Sequence, residues 1–245
     1  MKAMIFAAGL GTRLKPITDN LPKALLPIAG KPLLEHLILK LKDSGFDEII
    51  VNVHHFPDRI IDFLKEKNNF SIRIEVSDER EMLLDTGGGI RNAAWFFDDG
   101  KPFLVHNVDI LSNVDLKALY HQHLRTNSLA TLVVSKRDTF RYLLFNDDLR
   151  LNGWINEKTG VTKPQDLKRI DFYNKLAFAG IQVLSPNVFD LMKNRDAKFP
   201  IMDFYLSNMK NEVISGFVPD NFRMMDVGKL DVLEEAEKFV RTPNP

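Results

Sequence analysis

The sequence predicts an α/β protein with a Rossmann-like, mostly parallel mixed sheet that is flanked by helices and carries an inserted lobe. Three observations support this fold class. Short apolar runs alternate with stretches of helical periodicity in the N-terminal part, which is the βαβ rhythm of a parallel sheet. A glycine-rich loop follows the first apolar run, where such sheets bind ligands. A polar stretch in the middle of the chain interrupts the alternation and indicates the added lobe.

The N-terminal part alternates between predicted strands and predicted helices. A first helix is predicted by apolar side chains at helical spacing over residues 33–41, with Gly45 as its stop signal. A second is predicted from Pro57, in the first-turn position, to about residue 67. A third is predicted from Gly87 through Phe97. The predicted strands are residues 3–6, 48–53, 71–76 and 102–108.

The rest of the chain predicts a more mixed arrangement. Residues 129–135, 142–145 and 177–184 have strand patterns, and the polar residues 146–174 between the last two predict hairpins and loops. An apolar stripe over residues 232–240 predicts a final helix. Because neither an internal repeat nor a linker is evident, we expect residues 1–245 to form a single domain.

The composition excludes several kinds of chemistry. The chain has 245 residues, with 33 Lys and Arg against 33 Asp and Glu, and no cysteine. Disulfides, thiolate nucleophiles and zinc–thiolate sites are therefore excluded. The balanced charge argues against a nucleic-acid partner. The absence of cysteine fits a cytoplasmic location, which we expect. No apolar stretch approaches the roughly 20 residues of a membrane span, so we expect no membrane partner. The composition does not indicate an oligomeric state.

The glycine loop after the first strand has the features of a phosphate-binding loop. Gly9 and Gly11 let backbone amides approach a bound anion, and Arg13 and Lys23 add two cations, a combination that suits a triphosphate. A dinucleotide-binding loop would need a third glycine where Leu14 stands, and the P-loop pattern is absent. The remaining alternative is a plain tight turn between strand and helix.

This loop resembles the signature of the sugar nucleotidyltransferases, the nucleotide-sugar pyrophosphorylases. The matching residues are Gly9, Gly11, Arg13, Leu14, Pro16, Thr18, Pro22, Lys23 and Pro27. The resemblance implies the nucleotide-diphospho-sugar transferase fold and a role in nucleotide-sugar biosynthesis. It also implies that Arg13 and the loop amides, including those of Ala8 and Thr12, hold a nucleoside triphosphate. Lys23 would bind phosphate near the reacting centre.

A second glycine cluster, Gly87-Gly88-Gly89, favours a place where a flat group lies against bare backbone. The alternative is a helix-entry turn capped by Thr86 or Asp85. In the sugar nucleotidyltransferases this segment receives the nucleobase, so the resemblance implies that Gly87 and Gly88 contact the nucleotide. Asn107 is a further candidate for nucleotide binding. The segment is most similar to uridylyltransferases that act on N-acetylmuramate 1-phosphate, a cell-wall sugar. It is also similar to some mannose 1-phosphate guanylyltransferases.

Two aspartates are candidate metal ligands. Asp109 ends an apolar strand and Asp226 precedes the final helix. Mg²⁺ prefers carboxylates together with phosphates and water. Taken singly, Asp109 could be a strand-end turn residue and Asp226 a helix N-cap. The resemblance implies that both hold a catalytic Mg²⁺, although Val108 replaces the glycine that the family usually has before the first aspartate, and Met225 replaces an aromatic residue.

The sugar side of the site is less clearly marked. Gly180 matches a family glycine that lies against the sugar, which implies sugar contact. The family lysine that grips the sugar phosphate has no clear counterpart. Lys175 is the preferred candidate and Lys163 the alternative, and either could equally be a solvated surface charge. His121 and His123 lie two apart on a predicted helix and so should not share a metal.

The resemblance implies an in-line displacement in which a sugar 1-phosphate oxygen attacks the α-phosphorus and pyrophosphate leaves. Arg13, Lys23 and Asp109 are the catalytic candidates, and Mg²⁺ is the expected cofactor. Mannose 1-phosphate guanylyltransferase is the alternative within the class. Outside it, the alternatives are a catalytically silent sugar-nucleotide sensor and a dinucleotide oxidoreductase.

Overall fold

The computed structural model describes residues 1–242 and contains a long sheet with helices on both faces. Its strands are β1 (Lys2–Phe6), β2 (Pro27–Ile28), β3 (Lys31–Pro32), β4 (Glu48–Val53), β5 (Arg73–Asp78), β6 (Phe103–Asn107), β7 (Ile110–Ser112), β8 (Ala130–Ser135), β9 (Arg141–Phe145), β10 (Leu151–Asn156), β11 (Val161–Lys163), β12 (Asn174–Leu184), β13 (Ile214–Phe217) and β14 (Met224–Asp226). Its α-helices are α1 (Leu33–Asp43), α2 (Pro57–Glu66), α3 (Asp85–Asn92), α4 (Leu116–Thr126), α5 (Val188–Met192), α6 (Ile201–Asn208) and α7 (Leu233–Arg241).

The main sheet has a parallel N-terminal part and an antiparallel extension. Its strand order is β11-β10-β9-β12-β6-β1-β4-β5, and β8 lies between β12 and β13 off this path. Strand β1 pairs in parallel with β4 and β6, and β5 continues in parallel from β4. Strand β12 is antiparallel to β6, β8 and β9. The predicted α/β class with a mixed sheet is therefore confirmed.

Alternation along the central strands explains the two helical layers. On β1, Ala3 and Ile5 pack into one apolar cluster, which also contains the buried face of α1. Met4 points to the opposite cluster, which is formed with residues of α3, α5 and α6. Successive side chains of a strand point to opposite faces, so a central strand covered on both sides is apolar throughout. This is why the short apolar runs predicted parallel strands correctly.

The inserted lobe begins where β12 changes its partners. Residues Asn174–Leu176 pair with β9, whereas Ile181–Leu184 pair with β6. The ladder with β8 has an irregularity between Phe178 and Gln182, and Gly180 lies within it at φ 74°. The polar stretch 146–174 contains β10 and β11, as the hairpin prediction required. The prediction of a single domain over 1–245 includes residues 243–245, which lie outside the described range, and it stays a prediction.

Several predicted boundaries were wrong or incomplete. Helix α3 begins at Asp85 and ends at Asn92, so the three glycines lie inside it, and a separate 3-10 turn follows over Ala94–Phe96. The strand predicted at 71–76 runs from Arg73 to Asp78, because a 3-10 turn occupies Asn68–Ser71. The short elements β7, β13, β14, α5 and α6 were not predicted. Among the described residues, none of the helices combines the length and apolar character needed to cross a membrane.

Candidate functional site

A cavity of about 500 Å³ opens at the carboxyl ends of the parallel strands. Segments that follow β1, β5 and β6 form most of its wall, which is the usual ligand position in an open α/β sheet. The lining residues come from the glycine loop, the strand ends and the start of α3: Phe6, Ala7, Ala8, Gly9, Leu10, Gly11, Thr12, Arg13, Lys23, Asn52, Glu79, Leu83, Asp85, Thr86, Asn107, Val108, Asp109, Lys198 and Gly228. The sequence predicted the first of these segments and the strand end at 107–109.

The glycine loop presents unused backbone donors to this cavity. Within residues 1–242, the N–H groups of residues 8–11 have no protein acceptor. Gly11 is at φ 63°, and an added Cβ there would lie 2.8 Å from Thr18 Cγ2. The Thr18 hydroxyl also donates to the Gly11 carbonyl at 2.8 Å, which fixes the turn. A row of free amides beside a cavity is a site for an anion.

Two cations flank the loop in different environments. Arg13 is exposed and forms no ion pair among the described residues. Lys23 is only 8% exposed, and its ammonium group donates to the Asp109 carboxylate. This partly buried ion pair, whose carboxylate lies on the cavity wall, holds the lysine in one position. An exposed arginine and a lysine that is held by an ion pair therefore line the cavity beside the free amides.

The two aspartates are brought together by a short two-stranded ribbon. Strand β14 pairs antiparallel with β7 so that Asp226 lies opposite Ile110, and the Val227 amide donates to the Asp109 carbonyl at 2.8 Å. An added Cβ at Gly228 would lie 2.6 Å from Asp226 Oδ1 and 2.7 Å from Arg13 Nη2. Asp109 lines the cavity, and Asp226 Oδ1 lies beside Gly228, which also lines it.

These carboxylates fit the donor chemistry of Mg²⁺, which accepts one or two carboxylates and takes its remaining ligands from phosphate and water. The described residues contain no group of three or more histidine, aspartate or glutamate side chains that could hold a metal. A protein-only cage is thus absent from that part of the chain. A magnesium ion at Asp109 and Asp226 would depend on substrate oxygens.

The second glycine cluster lies behind the cavity wall instead of on it. Added Cβ atoms at Gly87 and Gly88 would lie 2.2 Å from the Phe199 ring and 2.3 Å from the Ala197 carbonyl. Both glycines are buried, and Leu83, Asp85 and Thr86 line the cavity in their place. Close packing of α3 against residues 197–199 therefore requires these glycines. Their direct contact with a nucleotide stays a prediction.

Two lining residues that sequence reasoning missed are connected to each other. Asn52 Nδ2 donates to Glu79 Oε1 at 2.8 Å, and the two side chains are 3% exposed. Burial raises the pKa of Glu79, while the hydrogen bonds from Asn52 and the Leu84 amide act in the opposite direction. Asn52 lies near the end of β4 and Glu79 follows the neighbouring strand β5, but neither residue belongs to a local sequence motif.

Lys198 is a third lining residue that was missed. The Phe199 amide donates to the Leu84 carbonyl at 3.3 Å, and the Gly87 amide donates to the Phe199 carbonyl at 2.9 Å. These bonds hold the segment after α5 against the start of α3, with Lys198 on the cavity wall. Its side chain is exposed and forms no ion pair within the described residues. In sequence it is one cation within a polar stretch, which gives no signal of function.

The sugar-side candidates occupy different positions. Gly180 lies against Asn107, because an added Cβ would be 2.8 Å from Asn107 Nδ2. Lys175 forms an ion pair with Glu157 at 3.0 Å, and Lys163 pairs with Asp203 at 2.8 Å. Neither lysine lines the cavity. The assignment of Gly180 and Lys175 to sugar binding stays a prediction.

Val108, which departs from the family pattern, lies between two cavities. It is 4% exposed and lines both the main cavity and a smaller one of about 270 Å³ bounded by α1 and the end of α7. Its amide donates to the Phe6 carbonyl at 3.1 Å, so β6 stays joined to β1 up to the cavity. The valine is therefore part of the wall between the two cavities, and Asp109, the next residue, also lines the main cavity.

Comparison with known proteins shows what the chain is similar to. The family model described as nucleotidyl transferase matches residues 2–242. An N-acetylmuramate alpha-1-phosphate uridylyltransferase of Neisseria meningitidis serogroup B is 42% identical, and the match covers 97% of each chain. The chain spans about half the length of several other relatives, among them mannose-1-phosphate guanylyltransferase 1 of Arabidopsis thaliana, which is 34% identical over 80% of this chain and 53% of that one. A crystal structure of HddC from Yersinia pseudotuberculosis complexed with GMP-PN has a TM-score of 0.78 and 25% identity, and the match covers 98% of this chain and 99% of that one.

Proposed function

Because the chain belongs to the nucleotidyl transferase family, we propose that it transfers the uridylyl group of UTP to N-acetylmuramate 1-phosphate and releases pyrophosphate. One observation carries the proposal: free loop amides, Arg13, Lys23 and Asp109 all border one cavity at the carboxyl ends of the parallel strands. This combination suits a bound polyphosphate, and the catalytically silent alternative would not need to keep it.

The triphosphate would bind along the glycine loop. The amides of residues 8–11, which have no protein acceptor, would donate to its non-bridging oxygens, and the guanidinium of Arg13 on the cavity wall would neutralise charge on the leaving pyrophosphate. The base would then lie deeper in the cavity, between the loop and Leu83–Thr86. Lys198, which also lines the cavity, is a further cation for a substrate phosphate.

The reaction needs no general base, because the attacking phosphate oxygen already carries a negative charge. That oxygen forms a bond to the α-phosphorus while the bond between this phosphorus and the bridging oxygen of pyrophosphate breaks. The protein contributes alignment and charge neutralisation. Lys23, held in position by Asp109, supplies a fixed positive charge at the reacting phosphates.

Mg²⁺ held by Asp109 and Asp226 would neutralise negative charge on the substrate phosphates. The support for this ion is the pairing of β7 with β14, in which Asp226 lies opposite Ile110, the residue after Asp109. The role of this chain's own residues is to supply hard oxygen donors and to keep Lys23 and Arg13 next to them. We propose that turnover depends on the ion.

The choice of substrate rests on the uridylyltransferase relative that matches over nearly the whole chain. A second candidate is GTP with mannose 1-phosphate. It is favoured by the mannose 1-phosphate guanylyltransferase relatives and by the structure of HddC, which was determined in complex with GMP-PN. The uridylyl assignment is preferred because the guanylyltransferase matches span only about half of those longer proteins.

A substrate matrix tests the proposal. Purified protein is incubated with each of UTP, GTP, CTP and dTTP against N-acetylmuramate, N-acetylglucosamine, glucose and mannose 1-phosphates, and initial rates of pyrophosphate release are measured. We expect UTP with N-acetylmuramate 1-phosphate to have the highest kcat/KM. A higher value for GTP with mannose 1-phosphate would establish the second candidate. Absence of pyrophosphate release from every pair would contradict nucleotidyl transfer.

A further inference from the structure

Three hydrogen bonds connect the two walls of the nucleotide cleft. The Ala7 amide, at the start of the glycine loop, donates to Asn52 Oδ1 at 2.8 Å. Asn52 Nδ2 donates to Glu79 Oε1 at 2.8 Å, and the Leu84 amide donates to Glu79 Oε2 at 3.1 Å. The chain of bonds thus runs from the wall that would hold the triphosphate, across the ends of β4 and β5, to the wall at the start of α3.

Because both side chains are buried, the loss of any of these hydrogen bonds should be costly. Asn52 and Glu79 are each 3% exposed, so a lost hydrogen bond would leave a polar group with little access to water. Helix α3 also packs directly on the pair, because an added Cβ at Gly89 would lie 2.9 Å from Glu79 Oε1 and 3.2 Å from Asn52 Nδ2. The third glycine of the cluster therefore lets α3 approach the two side chains closely.

We propose that Asn52 and Glu79 act as a pair of positioning residues that sets the separation of the two cleft walls, and thereby the affinity for UTP and the preference for a one-ring over a two-ring base. The proposal rests on the proposed function for the identity of the nucleotide. The pair connects backbone atoms of both walls, so a change in either side chain shifts one wall relative to the other. A wider cleft fits uracil less closely and gives a purine more room.

In the bond between the two side chains Asn52 donates and Glu79 accepts, so substituting both residues can exchange these two roles. In Asn52→Asp, two carboxylate oxygens would face each other across the 2.8 Å contact. In Glu79→Gln, the new NH₂ group would face either Asn52 Nδ2 or the Leu84 amide, and both are donors. In the double variant, the new amide at position 79 can donate to the new carboxylate at position 52 and still accept from Leu84. That carboxylate still accepts from the Ala7 amide, so all three bonds are restored with the direction reversed at the centre.

The experiment measures the Kd values for UTP and GTP by calorimetry, and KM and kcat for UTP, in the wild type and these three variants. We expect each single variant to weaken UTP binding about tenfold, as expected for one buried unpaired group. Its preference for UTP over GTP should fall, with a smaller change in kcat. The double variant should return to within about threefold of the wild type. Asn194→Asp and Glu66→Gln make the same chemical changes at exposed positions and should have no effect.

Two results would overturn the inference: unchanged Kd values in both single variants, or a double variant no better than the singles. If a single variant does not fold, Gly89→Ala replaces it, because its methyl group presses on the pair without changing charge. Weaker UTP binding in Gly89→Ala would support the inference, and unchanged binding would overturn it. Pyrophosphate release by the wild type is scored separately. Binding measurements therefore decide this inference even if the proposed transfer reaction is not observed.

Discussion

Glycine and asparagine illustrate how single residues shape this site. Gly180 has a positive φ and also abuts the Asn107 amide, so two independent requirements exclude a side chain. Gly160, in the turn between β10 and β11, has a similar φ of 70° but no atom within 4 Å of an added Cβ. A comparison of substitutions at the two glycines therefore distinguishes the effect of backbone strain from the effect of contact with Asn107.

Alanine at these two positions should affect stability similarly but catalytic activity differently. Both Gly180→Ala and Gly160→Ala should lose about 1 kcal/mol of unfolding free energy, because alanine is strained at positive φ. Only Gly180→Ala should also displace Asn107 and lower kcat/KM about tenfold or more. Urea unfolding and steady-state kinetics check this. Equal activity in the two variants would show that Gly180 does not position Asn107 for catalysis.

At this scale the sequence predicted the residues that belong to a local motif. Arg13 and Lys23 were recognised from the loop pattern, and the structure places both on the cavity wall. Asn52 and Glu79 are 27 residues apart and follow no pattern, because a single hydrogen bond between two strand ends leaves no periodic trace. Lys198 reaches the wall only through the packing of residues 197–199 on α3. Such contacts depend on the fold itself.

Among the elements, the ribbon of β7 and β14 is the one on which the proposed metal site depends. Each strand has three residues, too few for alternation to predict. The pairing nevertheless brings Asp226 opposite Ile110, next to Asp109. The longer parallel strands were predicted because their apolar runs are buried on both faces. Helix α3 was misplaced because its glycines look like a start signal, whereas they allow close packing.

Asparagine at either aspartate should remove most Mg²⁺-dependent turnover. Asp109→Asn and Asp226→Asn keep the side-chain size but remove the charge, and each should lower kcat about 100-fold or more. Asp231→Asn changes an exposed carboxylate beyond the ribbon and should leave kcat unchanged. Rates are measured over a magnesium titration after treatment with EDTA. Full wild-type activity in both ribbon variants, or no response to EDTA, would end the two-aspartate proposal.

Across the whole molecule, a buried polar network joins α4 to the strands beyond it. His123 Nδ1 contacts Thr131 Oγ1 at 2.9 Å on β8, and its Nε2 contacts Ser185 Oγ at 3.0 Å after β12. The histidine is 1% exposed, and burial lowers its pKa to about 4. Both ring nitrogens of His123 therefore have hydrogen-bond partners inside the protein. The network also makes folding stability sensitive to acid.

The direction of that sensitivity follows from the two pKa values. The unfolded chain binds a proton at His123 near pH 6.5, whereas the folded chain binds it only near pH 4, so stability is lost as pH falls between these values. The loss from this histidine is on the order of 3 kcal/mol. We expect His123→Gln to show a smaller loss between pH 7 and pH 4 by urea unfolding. His121→Gln, on the exposed side of α4, should keep the wild-type dependence, and identical slopes in all three proteins would contradict the account.

The sequence predicted the overall architecture more completely than it predicted single elements or site residues. Alternating apolar runs are sufficient to predict a parallel sheet with helices on both faces. The order of strands beyond β6 was not predictable, because β12 changes partners at the irregularity around Gly180 and so belongs to both the sheet and the lobe. The cavity lies where the parallel strands end, as the fold class requires.

The fate of a labelled oxygen tests the central claim most directly. N-acetylmuramate 1-phosphate with ¹⁸O at its non-bridging phosphate oxygens is incubated with UTP, Mg²⁺ and the protein. The products are separated, and the ¹⁸O content of each is measured by mass spectrometry. If a sugar-phosphate oxygen attacks the α-phosphorus, all of the label stays in the UDP-sugar and the pyrophosphate carries none. Labelled pyrophosphate, or UMP formed without UDP-sugar, would contradict nucleotidyl transfer to the sugar phosphate.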